Sequence, residues 1–263
     1  MAKEKSNLKL TDFLRAGKLI SQSHFLVLIV FIFAVAVAGL VGTGGVGICQ
    51  HNFHEKHSGS VVFTNEIRCN DMDVEVRSPD HLDALIACEG ARDAMVFLGS
   101  HGLEVTGNIV IELLTELPAV VSSSAAGCYI ESERRVLILV YSEFRKFETW
   151  FEIPIDRSLY RSLVSHEVAH LVADYNFKVS KPTIQAKEYI AYITQFSTME
   201  PVLRERVLSQ FPCGAFEDDP QMRSTIYMFD CMSFGVRAYR HFLKQTNGSD
   251  YLHKILTGKA LVE

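Results

Sequence analysis

No excess of basic charge, no phosphate-cradling glycine loop and no internal repeat occur anywhere in the 263 residues. Lys and Arg number 26 against 31 Asp and Glu, a formal net charge of −5. Nucleic acid selects a basic face through its phosphates, so no nucleic-acid partner is expected. What is left after one terminal apolar segment is a single domain of about 200 residues, enough to bury a full core without help from metals or disulfides.

Charge is also missing locally. From Phe25 to Cys49 there is no Asp, Glu, Lys or Arg, and Phe25 to Val41 reads FLVLIVFIFAVAVAGLV. With its glycine-rich continuation this reaches the ~20 residues needed to cross a bilayer. Lys3, Lys5, Lys9, Arg15 and Lys18 precede it against Glu4 and Asp12, a net +3 that leaves −8 on the remainder. The positive-inside rule then puts the N-terminus in the cytoplasm. The expected organisation is a cytoplasmic basic tail (1–23), a transmembrane signal anchor (24–48), a linker (49–60) and a folded domain (61–263). That places a single-pass protein in the inner (cytoplasmic) membrane, its domain on the periplasmic or extracytoplasmic side and the lipid bilayer as a partner. A cleaved signal peptide ending near Ala36-Val37-Ala38 is the competing reading. The 24 residues before the apolar run are long for an n-region, which favours the anchor. Ile48 before Cys49 speaks against a lipoprotein, and His51, His54 and His57 sit in what reads as a flexible tether.

Six cysteines, at 49, 69, 88, 128, 213 and 231, fit an oxidising compartment. Cys213 with Cys231 is the first pairing expected and Cys69 with Cys88 the second.

The chemistry-bearing stretch is SLYRSLVSHEVAHLVADY, which contains His-Glu-x-x-His as His166, Glu167 and His170. On a helix, residues four apart stand one turn above each other, so both imidazoles reach one ion. Zn²⁺ suits two neutral imidazoles, and the bound ion lowers the pKa of a coordinated water. Glu167, about 100° round the helix, is placed to take that water's proton and hand it to a leaving amine. Tyr160, Val164, Val168, Leu171, Val172 and Tyr175 form a stripe on the far side, leaving a front of Ser162, His166, His170 and Ala173.

A third ligand is expected from the next helical pattern, KPTIQAKEYIAYITQF, opened by Pro182 with Ser180 as N-cap. Glu188 lies there among Ala186, Ile190 and Ala191, where a carboxylate is costly to bury unless paired or coordinated. Asp174, one turn past His170, is the competing ligand or a support for the histidines.

His166, Glu167, His170 and Glu188 resemble the gluzincin arrangement of zinc metallopeptidases, the His₂Glu site of thermolysin-like enzymes. The run Glu188-Tyr189-Ile190-Ala191-Tyr192 is similar to the family's glutamate helix. Phe234 to Arg240 is similar to uncharacterised bacterial zincin-like proteins. One departure is Tyr192, four residues after Glu188, where the family often carries Asp. The resemblance implies an α+β, zincin-like metalloprotease domain, a twisted sheet plus active-site helices, acting on a peptide or protein substrate with Zn²⁺ as cofactor. It also implies an oxyanion-stabilising Tyr or His from a later segment, for which Tyr227, Tyr239 and His241 are candidates.

The remaining pattern fits that expectation. VVFTNEI and MDVEV are β-rich, His81 to Leu98 is a helix entered through Ser78-Pro79-Asp80, and Asn108 to Leu114 is a strand. Cys128 to Tyr141 reads as a hairpin turning near Glu131 to Arg134, with Tyr129 to Glu131 or Val136 to Tyr141 as the edge strand that would pair with substrate. Trp150 and its neighbours read as core, and Asp156 as the N-cap of the His-Glu-x-x-His helix. Met199 to Gln210 is a short helix and Ser224 to Gln245 a long one. A zincin-derived envelope protein that binds peptide or metal without turnover is the alternative function.

Overall fold

The computed structural model describes residues 63–119 and 121–262. The expected tail, membrane anchor and linker lie outside them. Among the described residues no helix is long and apolar enough to cross a membrane.

Alternating apolar residues build a five-stranded sheet in the order β1-β2-β3-β5-β4, from β1 (Asn65–Arg68), β2 (Val74–Ser78), β3 (Ile109–Leu114), β4 (Gly127–Ile130) and β5 (Arg135–Leu139). β2, β3 and β5 run parallel, and β1 and β4 close the two edges antiparallel. The expected hairpin is thus β4 and β5, joined through Glu131 to Arg134. Of the two candidate edge strands, only the Tyr129 one is an edge; Val136 to Leu139 lies between β3 and β4 because β5 pairs on both sides.

Period two sorts the sheet's faces. Val74, Val76, Ile109, Ile111, Leu113, Tyr129, Val136 and Ile138 join the main core under the helices. Leu114, Cys128, Ile130 and Leu137 form a smaller cluster on the other face. There Glu112, almost fully buried, is held by Arg77 (3.3 Å) and Arg135 (2.6 Å) across neighbouring strands.

Helix α1 (His81–Ser100) follows β2, capped by Asp80, and leads back to the parallel β3. A two-stranded hairpin, β6 (Thr149–Trp150) and β7 (Ile153–Pro154), follows the short α2 (Tyr141–Phe144). It seats Trp150 against Phe144 and Phe151 against Phe196, so these aromatics are core, as the sequence suggests. The chain then enters α3 (Arg157–Asn176), whose N-cap Asp156 accepts from the Leu159 amide at 2.8 Å.

Two features fix α3 in place. Buried Asp83 on α1 accepts from Arg157 (2.7 Å) and from the Tyr141 amide (2.8 Å). Arg161 makes a fork to Asp93 at 2.6 and 2.9 Å. The half-exposed Arg161 pair contributes ~0–1 kcal/mol and serves orientation. Burial of Leu159, Leu163, Val164 and Val168, each 0% exposed, stabilises by ~1.5–3 kcal/mol per side chain.

Past α3 come α4 (Ile184–Thr198), α5 (Pro201–Gln210), α6 (Ser224–Phe229), α7 (Cys231–Lys244) and α8 (Gly248–Leu256). Three expectations are corrected here. Thr183, not Ser180, caps α4, accepting from the Ala186 amide, so Pro182 stays outside the helix. The long helix from Ser224 is two: Asp230 is extended (φ −154°, ψ 87°) and caps α7 by accepting from the Ser233 amide. Cys213 and Cys231 remain thiols, one beside Arg240 and the other bonded to Tyr192, and the disulfide joins Cys69 to Cys88.

Candidate metal centre

α3 and α4 pack side by side and antiparallel, because Glu188 lies at His166 and His170 while Gln195, two turns on, lies at His166 and Ser162. The front of α3 is therefore not open, as its polar pattern implies, but covered: every residue from Leu159 to Ala173 except Arg161 is buried. His166, Glu167 and His170 are 3%, 3% and 8% exposed, and Glu188 is 0%.

Three donor atoms converge there. His166 Nε2 and His170 Nε2 are 3.3 Å apart. Glu188 Oε1 is 3.2 Å from His170 Nε2, and Oε2 is 3.7 Å from His166 Nε2. A tetrahedral ion with bonds of about 2.0–2.1 Å needs donor separations of ~3.3 Å. Among the described residues this is the group of His, Cys, Asp and Glu with metal-holding geometry.

The strongest observation concerns Glu188. Both carboxylate oxygens are buried and neither has a hydrogen-bond partner. Such a group costs several kcal/mol to leave unpaired. Burial, reinforced by Glu167, pushes its carboxyl well above the usual range, and Lys187 only partly opposes this. Burial also lowers His166 to about 4 and His170 well below the ordinary imidazole value. Two neutral imidazoles and a carboxylate that lacks a counter-charge are what a divalent cation needs.

Behind His166 stands a directed chain that sequence reasoning missed. Ser162 donates to the Leu159 carbonyl (2.7 Å), so its oxygen accepts from Gln195 Nε2 (3.3 Å), leaving Gln195 Oε1 to accept from His166 Nδ1 (3.2 Å). That fixes the proton on Nδ1 and bares Nε2 toward Glu188. The available signal was spacing: Gln195 is seven residues after Glu188, on the same face of an apolar helix. Tyr192 packs its ring against His166 (4.7 Å) and occupies the space a side chain at Gly235 would fill. Gln195→Leu is expected to weaken the affinity of the cluster for a divalent metal about 10–100-fold with little change in fold, and Gln195→Glu to recover part of it. Competition with a chromogenic chelator measures this, and unaltered affinity would assign Gln195 to packing alone.

Glu167 lies against the sheet edge, near enough to Glu188 to raise its carboxyl. A Cβ on Gly127 would fall 2.8 Å from Glu167 Cγ and 2.9 Å from its Oε1, so only glycine lets β4 pass this carboxylate. Tyr227, buried on α6, packs against Phe234 (5.6 Å), and Glu188 and Glu167 are among the charges that, with burial, raise its phenol. It belongs to the neighbourhood of the cluster. Tyr239 does not: α7 turns it onto Phe196 (5.3 Å) with Arg204 over its ring. His241 is bonded to Tyr189 (2.8 Å) and Gln245 (3.0 Å). Asp174 accepts from Tyr129 (2.9 Å), so it neither replaces Glu188 nor supports His166.

The described region is thus an α+β domain with a buried His-His-Glu cluster between two packed helices. The family described as "Family of unknown function (DUF6639)" matches residues 74–263, and the chain belongs to it. Neither the curated proteins nor the solved structures yield a match.

Proposed function

We propose that this protein is a zinc metallopeptidase of gluzincin type, anchored in the membrane and acting outside the cytoplasm. The observation that carries the proposal is the Glu188 carboxylate, fully buried, without a hydrogen bond, and 3.2 and 3.7 Å from two imidazole nitrogens. His166, His170 and Glu188 would hold Zn²⁺, since two imidazole nitrogens and a carboxylate oxygen, all within 4.8 Å of one another, are donors that suit that ion. When bound, the ion supplies Lewis acidity and lowers the pKa of a coordinated water toward neutrality.

Glu167 takes a proton from the attacking water and returns it to the leaving nitrogen. Tyr227 donates to the oxygen of the attacked carbonyl as its charge grows. The peptide itself is held by β4. Ala126 O accepts from Leu139 N (2.8 Å), so antiparallel alternation turns Ala126, Cys128 and Ile130 toward β5 and directs the backbone of Gly127 and Tyr129 outward. An extended chain added there passes directly by Glu167. The Cys69–Cys88 disulfide supports an oxidising compartment, and with it export.

One observation favours the second reading, a zincin-derived envelope protein that binds metal or peptide without turnover: all four central residues are 8% exposed or less. Metal analysis of purified protein, paired with a proteome-derived peptide library read by mass spectrometry, separates the two. Zinc at one equivalent with cleavage supports the peptidase. Zinc without cleavage supports the binder, and absence of any tightly held transition metal after gentle purification overturns the peptidase and the metal-binding form of the second reading.

A further inference from the structure

The far end of the site, past His170, carries a set of polar contacts with no part in holding a metal. α3 is its floor, β4 one wall and α4 the other. Glu131, just beyond β4, pairs with Lys187 on α4. Because β4 and α4 flank α3, this pair spans the floor above Asp174, one turn beyond His170. Below it, Tyr129 from β4 donates to Asp174 Oδ2 at 2.9 Å. At the outer end Arg134 stacks over Tyr175 (4.6 Å to the ring centre) and donates to its hydroxyl (3.2 Å). Three contacts in succession thus tie the β4–β5 turn to the helices, and at this end the wall and the floor are joined.

Strand direction then decides which end of a peptide meets the closure. β4 runs from Gly127, beside Glu167, toward Ile130 and the Glu131–Lys187 pair. Antiparallel addition, the more stable pairing per residue, runs a peptide the opposite way, with its amino end at the closure. The rise from His170 to Asp174 is about 6 Å and an extended residue spans about 3.3 Å. About two residues at most fit between the metal position and the bar. Asp174 and Glu131 stand there as carboxylates, each half-exposed or nearly so; one oxygen of Asp174 takes the Tyr129 bond and one of Glu131 the Lys187 pair, and the other oxygen of each suits an ammonium.

We infer that the groove is barred one turn beyond His170, and that the protein removes one or two residues from the free amino end of peptides, the amine being received by Asp174 and Glu131. This rests on the peptidase reading. The step is hydrolysis: water's oxygen joins the carbonyl carbon, the C–N bond breaks, and water's two protons end on the new carboxyl and amine groups.

The test uses zinc-loaded full chain and one decapeptide in two forms, with a free and with an acetylated amino end. Mass spectrometry is expected to show the free form shortened by one or two residues at its amino end and the acetylated form processed at least about tenfold more slowly. The double variant Glu131→Ala/Lys187→Ala should accept the acetylated form and cut internally. Internal cleavage by wild type, or equal processing of the two forms, overturns the inference. Calorimetry on Glu167→Gln gives a readout without turnover: the free form should bind about tenfold tighter, and Asp174→Asn with Glu131→Gln added to that variant should erase the preference. Amine preference without cleavage would keep the barred groove and sink the peptidase reading. Neither cleavage nor preference sinks both.

Discussion

Glu167→Gln is expected to keep one equivalent of zinc and to slow hydrolysis of any cleaved peptide by about 10²–10⁴-fold. The amide preserves the shape of the side chain and its seat against Gly127, but it has no basic oxygen to take a proton from water. Metal content should not change, because Glu167 supplies none of the three converging donors. Gly127→Ala reaches the same end differently. Its methyl group would stand 2.8–2.9 Å from the Glu167 side chain, inside van der Waals contact, so either β4 or the carboxylate must move. Zinc should again be retained while turnover falls, since a displacement near 1 Å at a reacting group costs about 10²-fold. Single-turnover assays with parallel metal analysis check both. Undiminished turnover in Glu167→Gln would remove this residue from proton transfer.

Glu188→Gln is expected to have opposite effects with and without zinc. In chelated protein the wild-type carboxylate is buried and unpartnered, whereas an amide carries no charge and can donate to the bare imidazole Nε2 3.2 Å away, which relieves about 1–3 kcal/mol. For a domain of this size ~2–4 °C in thermal midpoint accompanies each kcal/mol, so the chelated variant should melt several degrees higher. pH sharpens the comparison. The folded-state pKa of Glu188 is raised, so its contribution is full below the ordinary glutamate value and is lost as pH climbs through the raised one. Chelated wild type should therefore weaken over that interval relative to Glu188→Gln. Zinc reverses the order: at a free concentration 100-fold above Kd the ion adds about 2.7 kcal/mol to a protein that binds it, and the variant gains little. Calorimetric melts at two zinc levels measure this. A variant no more stable than wild type in chelator would mean that Glu188 has a protein partner after all.

Much of this site could be read before the fold was known. His166, Glu167 and His170 announce themselves by spacing, and Asp156 and Asp80 by their positions before apolar periodicity. Glu188 stood out as a carboxylate among alanines and isoleucines, a conflict that burial turns into a specific demand. Other features are settled by tertiary packing. Ser180 and Thr183 are equally good caps locally, and the bond from Thr183 to the Leu261 carbonyl (2.6 Å) distinguishes them. Apolar periodicity runs across Asp230, so nothing short-range marked the break that separates Tyr227 on α6 from Tyr239 on α7. Which strand of the β4–β5 hairpin is the edge depends on β3, a neighbour from elsewhere in the chain. The pairing of Cys69 with Cys88 over Cys213 with Cys231 likewise reflects where α1 and α7 come to rest, not distance along the sequence.

The near-complete enclosure of the His-His-Glu cluster has a kinetic consequence. With no central side chain more than 8% exposed, a cation exchanges through little open surface, and local opening of the surrounding helices speeds its passage. Exchange would then be paced by the protein's own fluctuations, reaching a plateau as scavenger is added, and a modest equilibrium affinity could coexist with a very long residence time.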